Sequence, residues 1–198
     1  MSSYYILGIT VLYSLAAWYV SPDLMKDGML RPYYTFKEKR WYQLLTSGFL
    51  HADFTHLLFN MITFFFFGPP VERIFGTAAF VGLYVVSLIA SSLPTLFRHK
   101  NNPNYASLGA SGAVEAVLFS YIIFNPWQTL IVFVIPVPAI IFAFLFVAYS
   151  IYAGKQRADG DNVNHEAHIA GGVTGIIYTI ILIPDAVQIF LNNLLGGF

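Results

Sequence analysis

Leu108-Gly109-Ala110-Ser111-Gly112-Ala113 leads out of a polar stretch straight into an apolar run that reaches Phe124. A hydroxyl set between two glycines at such a boundary can be approached closely from several sides, which makes Ser111 a candidate nucleophile. The same residues admit a plainer reading, in which Ser111 caps free backbone N–H groups at a helix start and the glycines serve close packing. The segments on either side decide between the two.

Of the 198 residues, 57% are hydrophobic, 18% aromatic and only 10% charged, against about 25% charged in soluble domains. The apolar residues gather in blocks, so the chain reads as an integral membrane protein of a single domain, 1–198, with the lipid bilayer as its surroundings. Net charge is zero and no long basic run is present, so nucleic acid is not expected as a partner. With no cysteine there is no thiol nucleophile and no Cys-based metal site.

Six spans are marked off by polar punctuation: about 4–20, 54–75, 78–97, 111–124, 136–153 and 168–183. The first, Tyr4 to Val20, lacks a basic leader and a good cleavage site and reads as a retained span. The second is uninterrupted only from Phe54 to Phe67; it either ends early or continues with a kink through Gly68-Pro69-Pro70. Trp127 to Ala153 is too long for one upright span, so it divides into an interfacial piece and a helix starting near Pro136 and Pro138. The short fourth span suits a central position. Between the first two spans, Ser21 to Ala52 interleaves Lys26, Arg31, Lys37, Lys39 and Arg40 with Tyr33, Tyr34, Phe36, Trp41 and Tyr42, a mixture suited to the headgroup layer. Gly154 to Ala167, polar and containing Gly160, reads as a lid.

Ionisable and amide side chains at membrane depth cost a few kcal/mol unless paired, so they mark function. Here they are His51, His56, Asn60, Ser111, Glu115 and His168. His56 and Asn60, four apart after the N-cap Asp53, share a helix face and can both donate toward one point. His168 opens the sixth span, and Gly171 and Gly175, one turn apart, give that span a flat face on which another helix can lie. Acyl transfer needs a nucleophile, a base and donors for the oxyanion, and these residues offer all three. His165-Glu166-Ala167-His168 has one residue between the glutamate and the second histidine where the zinc-protease signature has two, so no metal is expected.

On these residues the chain resembles the rhomboid intramembrane serine proteases. The resemblance rests on His51-x4-His56-x3-Asn60, on Gly109-x-Ser111-Gly112 and on Ala167-His168-x2-Gly171-x3-Gly175, with support from Trp41 through Phe49 and from Val71-Glu72-Arg73-x2-Gly76. It implies an all-α bundle of six transmembrane helices with a short central fourth, acting without a cofactor on the transmembrane segments of other proteins. It implies that Ser111 attacks the scissile carbonyl and His168 carries its proton. His56 and Asn60, with backbone N–H groups around Ala110 and Ser111, would hold the oxyanion, and His51 would be structural. Gly109, Gly112, Gly171 and Gly175 are expected at close helix contacts. A related but catalytically silent protein that binds or escorts membrane proteins is the alternative; such proteins commonly lack the serine or histidine, and both are present here.

Two features depart from that pattern. Four residues after the serine the family usually carries an aromatic, and this chain has Glu115, on the serine's face and expected near His168. It either orients the imidazole or sits protonated and hydrogen-bonded. The family's bacterial members sit in the inner membrane with the serine opening to the extracytoplasmic side. Yet Lys26, Arg31, Lys37, Lys39, Arg40, Arg98, Lys100, Lys155 and Arg157 lie in the first, third and fifth loops, and only Arg73 lies in the others, which runs against the positive-inside rule.

Overall fold

The computed structural model describes residues 1–132, 134–156 and 164–196. The expected lid falls mainly on 157–163, with Gly160 and Arg157, and lies outside the described residues. The described chain is all-α apart from one hairpin. Its helices are α1 (Ser2–Tyr19), α2 (Pro22–Gly28), α3 (Pro32–Lys37), α4 (Gln43–Thr46), α5 (Phe54–Phe75), α6 (Thr77–Arg98), α7 (Ser111–Phe124), α8 (Ala139–Gln156), α9 (His165–Leu182) and α10 (Ala186–Leu195).

By length and hydropathy α5 and α6 are each sufficient to cross a bilayer; α1 with α2, bent by 117°, and α9 with α10, bent by 109°, qualify as broken pairs. The remaining apolar helices, α7 and α8, are shorter. At 1.5 Å per residue α5 is about 33 Å long and α7 about 21 Å.

α5 runs unbroken through Pro69 and Pro70 and stops at Gly76, whose φ of +77° ends the helix. Two prolines remove two ladder bonds, so the last five residues beyond them need an anchor. Glu72 supplies it. Its carboxylate accepts the backbone N–H and hydroxyl of both Ser2 and Ser3, at 2.7 to 2.9 Å, and the Thr77 hydroxyl at 2.9 Å. The acid thereby caps the otherwise unpaired N-terminus of α1 while its own charge is solvated by five donors.

α7 sits in the middle, touching α5, α6, α8, α9 and α10. Its length from Gly112 to Ile123 is buried apart from Glu115 and Tyr121. Tyr84, Phe64, Phe80 and Val71 pack around it to form the main core. The contact with α9 is close because Gly171 and Gly175 lie against the backbone of Gly112 and Ala116, where a Cβ would overlap the carbonyls. Lower down, the hydroxyls of Ser120 and Thr179 are hydrogen-bonded at 2.9 Å.

The interfacial piece expected ahead of α8 is a β-hairpin, β1 (Thr129–Val132) paired antiparallel with β2 (Ile135–Pro138). Pro136 and Pro138, two apart, share a side of β2, so both missing N–H groups can face away from the partner strand. α8 begins directly after Pro138.

Candidate functional site

The loop before α7 is tied down from three directions. Leu30 and Ser107 exchange a pair of 2.9 Å backbone bonds, the Gly109 N–H donates to the Ser47 carbonyl at 2.9 Å, and the Ala110 N–H donates to His51 Nε2 at 3.4 Å. All three anchors come from the aromatic and basic first loop, which is therefore a cradle for the serine turn. Gly109 has φ +124°, a conformation that L side chains rarely adopt, and a Cβ there would come within 2.6 Å of the His56 ring.

The Ala110 bond changes one expectation. Of the backbone donors expected around Ala110 and Ser111, the Ala110 N–H donates to His51, which is fully buried. Burial, reinforced by the neighbouring His56 and opposed by Asp53, pushes His51 down to about 3. A neutral ring can accept from Ala110 at Nε2 and donate from Nδ1 to Ser14 Oγ, 3.1 Å away, whose hydroxyl passes on to the Phe49 carbonyl at 2.9 Å. The amides of Ser111 and Gly112, in the first turn of α7, have no intrahelical carbonyl to bond and remain the backbone donors at the helix mouth. Ser111 is the first helical residue, and Ala110 occupies the N-cap without a side-chain bond. The Ser111 hydroxyl is thus not used as a cap.

On α5, Asp53 Oδ1 accepts the His56 N–H at 2.8 Å and starts the helix. Asn60, one turn on, donates from Nδ2 to the His56 carbonyl at 2.9 Å. An amide has two N–H donors, so one of the two expected to point at the oxyanion is returned to the helix backbone and one is left. The His51 and His56 rings meet edge to face at 4.9 Å.

α9 brings His168. Asn164 caps the helix by accepting from the Ala167 N–H at 3.2 Å, while its Nδ2 donates to Thr95 Oγ1 at 2.7 Å and to Ser107 Oγ at 3.2 Å. One side chain thus links the start of the histidine helix, the end of α6 and the loop that carries the serine. Arg98 and Glu166 form an ion pair beside it. The Phe146 ring of α8 lies nearly parallel to the His168 imidazole, 5.8 Å between centroids at 14°.

Ser111, His168, His56, Asn60 and Glu115 all line one cleft of about 1110 Å³. Among the described residues no hydrogen bond joins Ser111 to His168 or Glu115 to His168, and Glu115 Oε2 is buried without a hydrogen-bond partner. Sequence reasoning missed Phe146, Asn164 and the His51–Ala110 bond. Asn164 could have been noticed as an N-cap type three residues before Ala167; nothing in the sequence singles out one phenylalanine of α8.

With this geometry in hand, comparison with known proteins gives a consistent set of likenesses. The rhomboid domain model matches residues 38–185. The chain is 30% identical over 158 residues to RHOMBOID-like protein 12, mitochondrial, of Arabidopsis thaliana, covering 72% of this chain and 46% of that protein. It is 32% identical over 144 residues to Rhomboid protein 1, mitochondrial, of Saccharomyces cerevisiae, covering 68% and 40%. To Rhomboid protease GlpG of Haemophilus influenzae it is 29% identical over 150 residues, covering 76% and 74%. The chain thus spans less than half the length of the first two and about three quarters of the third.

Proposed function

The chain belongs to the rhomboid family, and from that premise we propose that it is an intramembrane serine endopeptidase, cutting peptide bonds in or near the transmembrane segments of other membrane proteins. The observation that carries this reading is that Ser111, His168, His56 and Asn60, from three helices, line a single cleft. Ser111 Oγ attacks the scissile carbonyl while His168 takes its proton, then returns it to the leaving amine. The oxyanion is met by His56, by the remaining N–H of Asn60 and by the free first-turn amides of α7, at the positive end of its dipole. Without a bond between Ser111 and His168 at rest, the pair closes up when substrate fills the cleft; catalytic contacts are often loose before substrate binds. A substrate helix must unwind to offer its backbone, so targets with small or helix-breaking residues near the cut are favoured. Six spans are assigned, with α7 and α8 as short ones, in a bacterial inner membrane with the cleft on the extracytoplasmic side.

The decisive experiment compares the purified protein with Ser111→Ala in detergent on a generic transmembrane substrate. Cleavage by the parent and none by the variant is expected; equal cleavage by both, or none by either, removes the protease reading and leaves a binding or escort role.

A further inference from the structure

We propose that Phe146 is the positioning residue of His168. The inference rests on the Ser111–His168 reading and adds to it how the imidazole is aimed. A histidine that shuttles a proton needs its ring plane fixed, and hydrogen bonds to the second nitrogen are the usual means. Among the described residues His168 has no such bond. Glu115, the carboxylate one turn below Ser111, shares the cleft without bonding the ring. What meets the imidazole face is Phe146, at 5.8 Å and 14°. That separation is within the offset-stacked range, in which the pair is attracted over a limited set of ring orientations.

The phenyl ring is itself held. Phe142, one turn earlier on α8, stacks on it at 5.8 Å and 26°, and Phe119 of α7 meets it at 6.3 Å and 59°. His165 approaches the imidazole edge to face at 6.3 Å. Phe119, Phe146 and His168 thus form a continuous aromatic chain across α7, α8 and α9. The aim of the imidazole depends on where α8 stands, so movement of α8 releases the ring as well as widening the cleft.

The test is a kinetic series, Phe146→Leu, Phe146→Tyr and Phe146→Trp, on a transmembrane substrate, with the rate at which a small fluorophosphonate labels Ser111 measured alongside. A fluorophosphonate needs an activated serine but makes almost none of the substrate helix's contacts. Leu keeps apolar bulk and removes the flat face, so kcat and the labelling rate are expected to fall together, by about fivefold to tenfold, with KM within twofold of the parent. Tyr or Trp should restore both, and the melting temperature of the folded variants should not track the loss. The proposal is overturned if Phe146→Leu labels and cleaves at the parent rate, if only KM changes, or if a folded Tyr variant is as slow as Leu. A parent protein whose cleavage does not depend on Ser111 overturns the protease reading instead, and this inference with it.

Discussion

His51 accepts from Ala110 at Nε2 and faces Ser14 at Nδ1, which its neutral ring can do and its cation cannot. With its folded pKa pushed to about 3 against 6.5 for the free side chain, the unfolded chain binds more protons between those values, and stability falls as pH drops through that window. Between pH 7.5 and 5 the expected loss is about 2 kcal/mol. Thermal melts in detergent at the two pH values should show it, and His51→Gln, which cannot titrate, should shrink the difference between them. The sequence marked His51 only as a supporting residue, because the bond to Ala110 joins positions 59 apart and follows from the whole bundle. Glu115 was visible in the sequence for the opposite reason, as a carboxylate in an apolar helix, but its spacing from Ser111 does not reveal whether it bonds His168. Since no such bond forms, Glu115→Gln is expected to leave the pH–rate profile in place with activity within about threefold, less than the tenfold that 1.4 kcal/mol would produce. A displaced profile would show the carboxylate acting on the imidazole.

Between elements, the contact of α7 with α9 is tightly constrained, because backbone meets backbone at Gly112–Gly171 and Ala116–Gly175. A carbonyl cannot rotate away as a side chain can, so a methyl at Gly171 must push the helices apart. Gly171→Ala is expected to cost about 3 kcal/mol or more and to abolish cleavage, since α9 carries His168. Gly8 of α1 has nothing within 4 Å of a built Cβ, and Gly8→Ala should be neutral or stabilising by up to about 1 kcal/mol; melting temperatures of the pair check both. Asn164→Ala removes the α9 cap and its bonds to Thr95 and Ser107, for an expected loss of about 1 to 2 kcal/mol together with a fall in kcat, read from the same preparations. The Gly-x3-Gly spacing was legible because helix faces repeat every three to four residues. Whether α5 ends before Pro69 and Pro70 or continues past them to Phe75 was left open, because the choice depends on Glu72 being gripped by Ser2 and Ser3, some seventy positions away. The hairpin after Trp127 was likewise hidden: a short apolar run with prolines fits an interfacial coil as well as a strand pair.

For the molecule as a whole, the cleft opens on the side of the first, third and fifth loops, which also carry most of the Lys and Arg. Counted as isolated charges they would hold that face in the cytoplasm. Four of them are engaged in the folded structure. Arg40 is paired with Glu38 and Asp27, and Arg98 with Glu166. Arg31 lies 4.4 Å from the centre of the Tyr34 ring, and Lys37 donates to the Tyr33 hydroxyl at 3.1 Å. These are side chains of a folded, aromatic-rich cradle over the serine turn, where Phe36 also meets Trp41 and Phe97, and basic residues fixed in such an interfacial element, although still charged, are expected to weigh less on insertion than those of a flexible loop. The expected orientation therefore puts the cleft outside. The chain contains no cysteine, so one introduced at the exposed Lys100 beside the cleft is a unique reporter. In intact bacterial cells Lys100→Cys should react with a membrane-impermeant maleimide, and a cysteine at Arg73, on the loop side opposite, should react only after the membrane is opened. The reverse pattern would mean that the basic residues govern insertion in spite of their partners, and that substrates reach Ser111 from the cytoplasm.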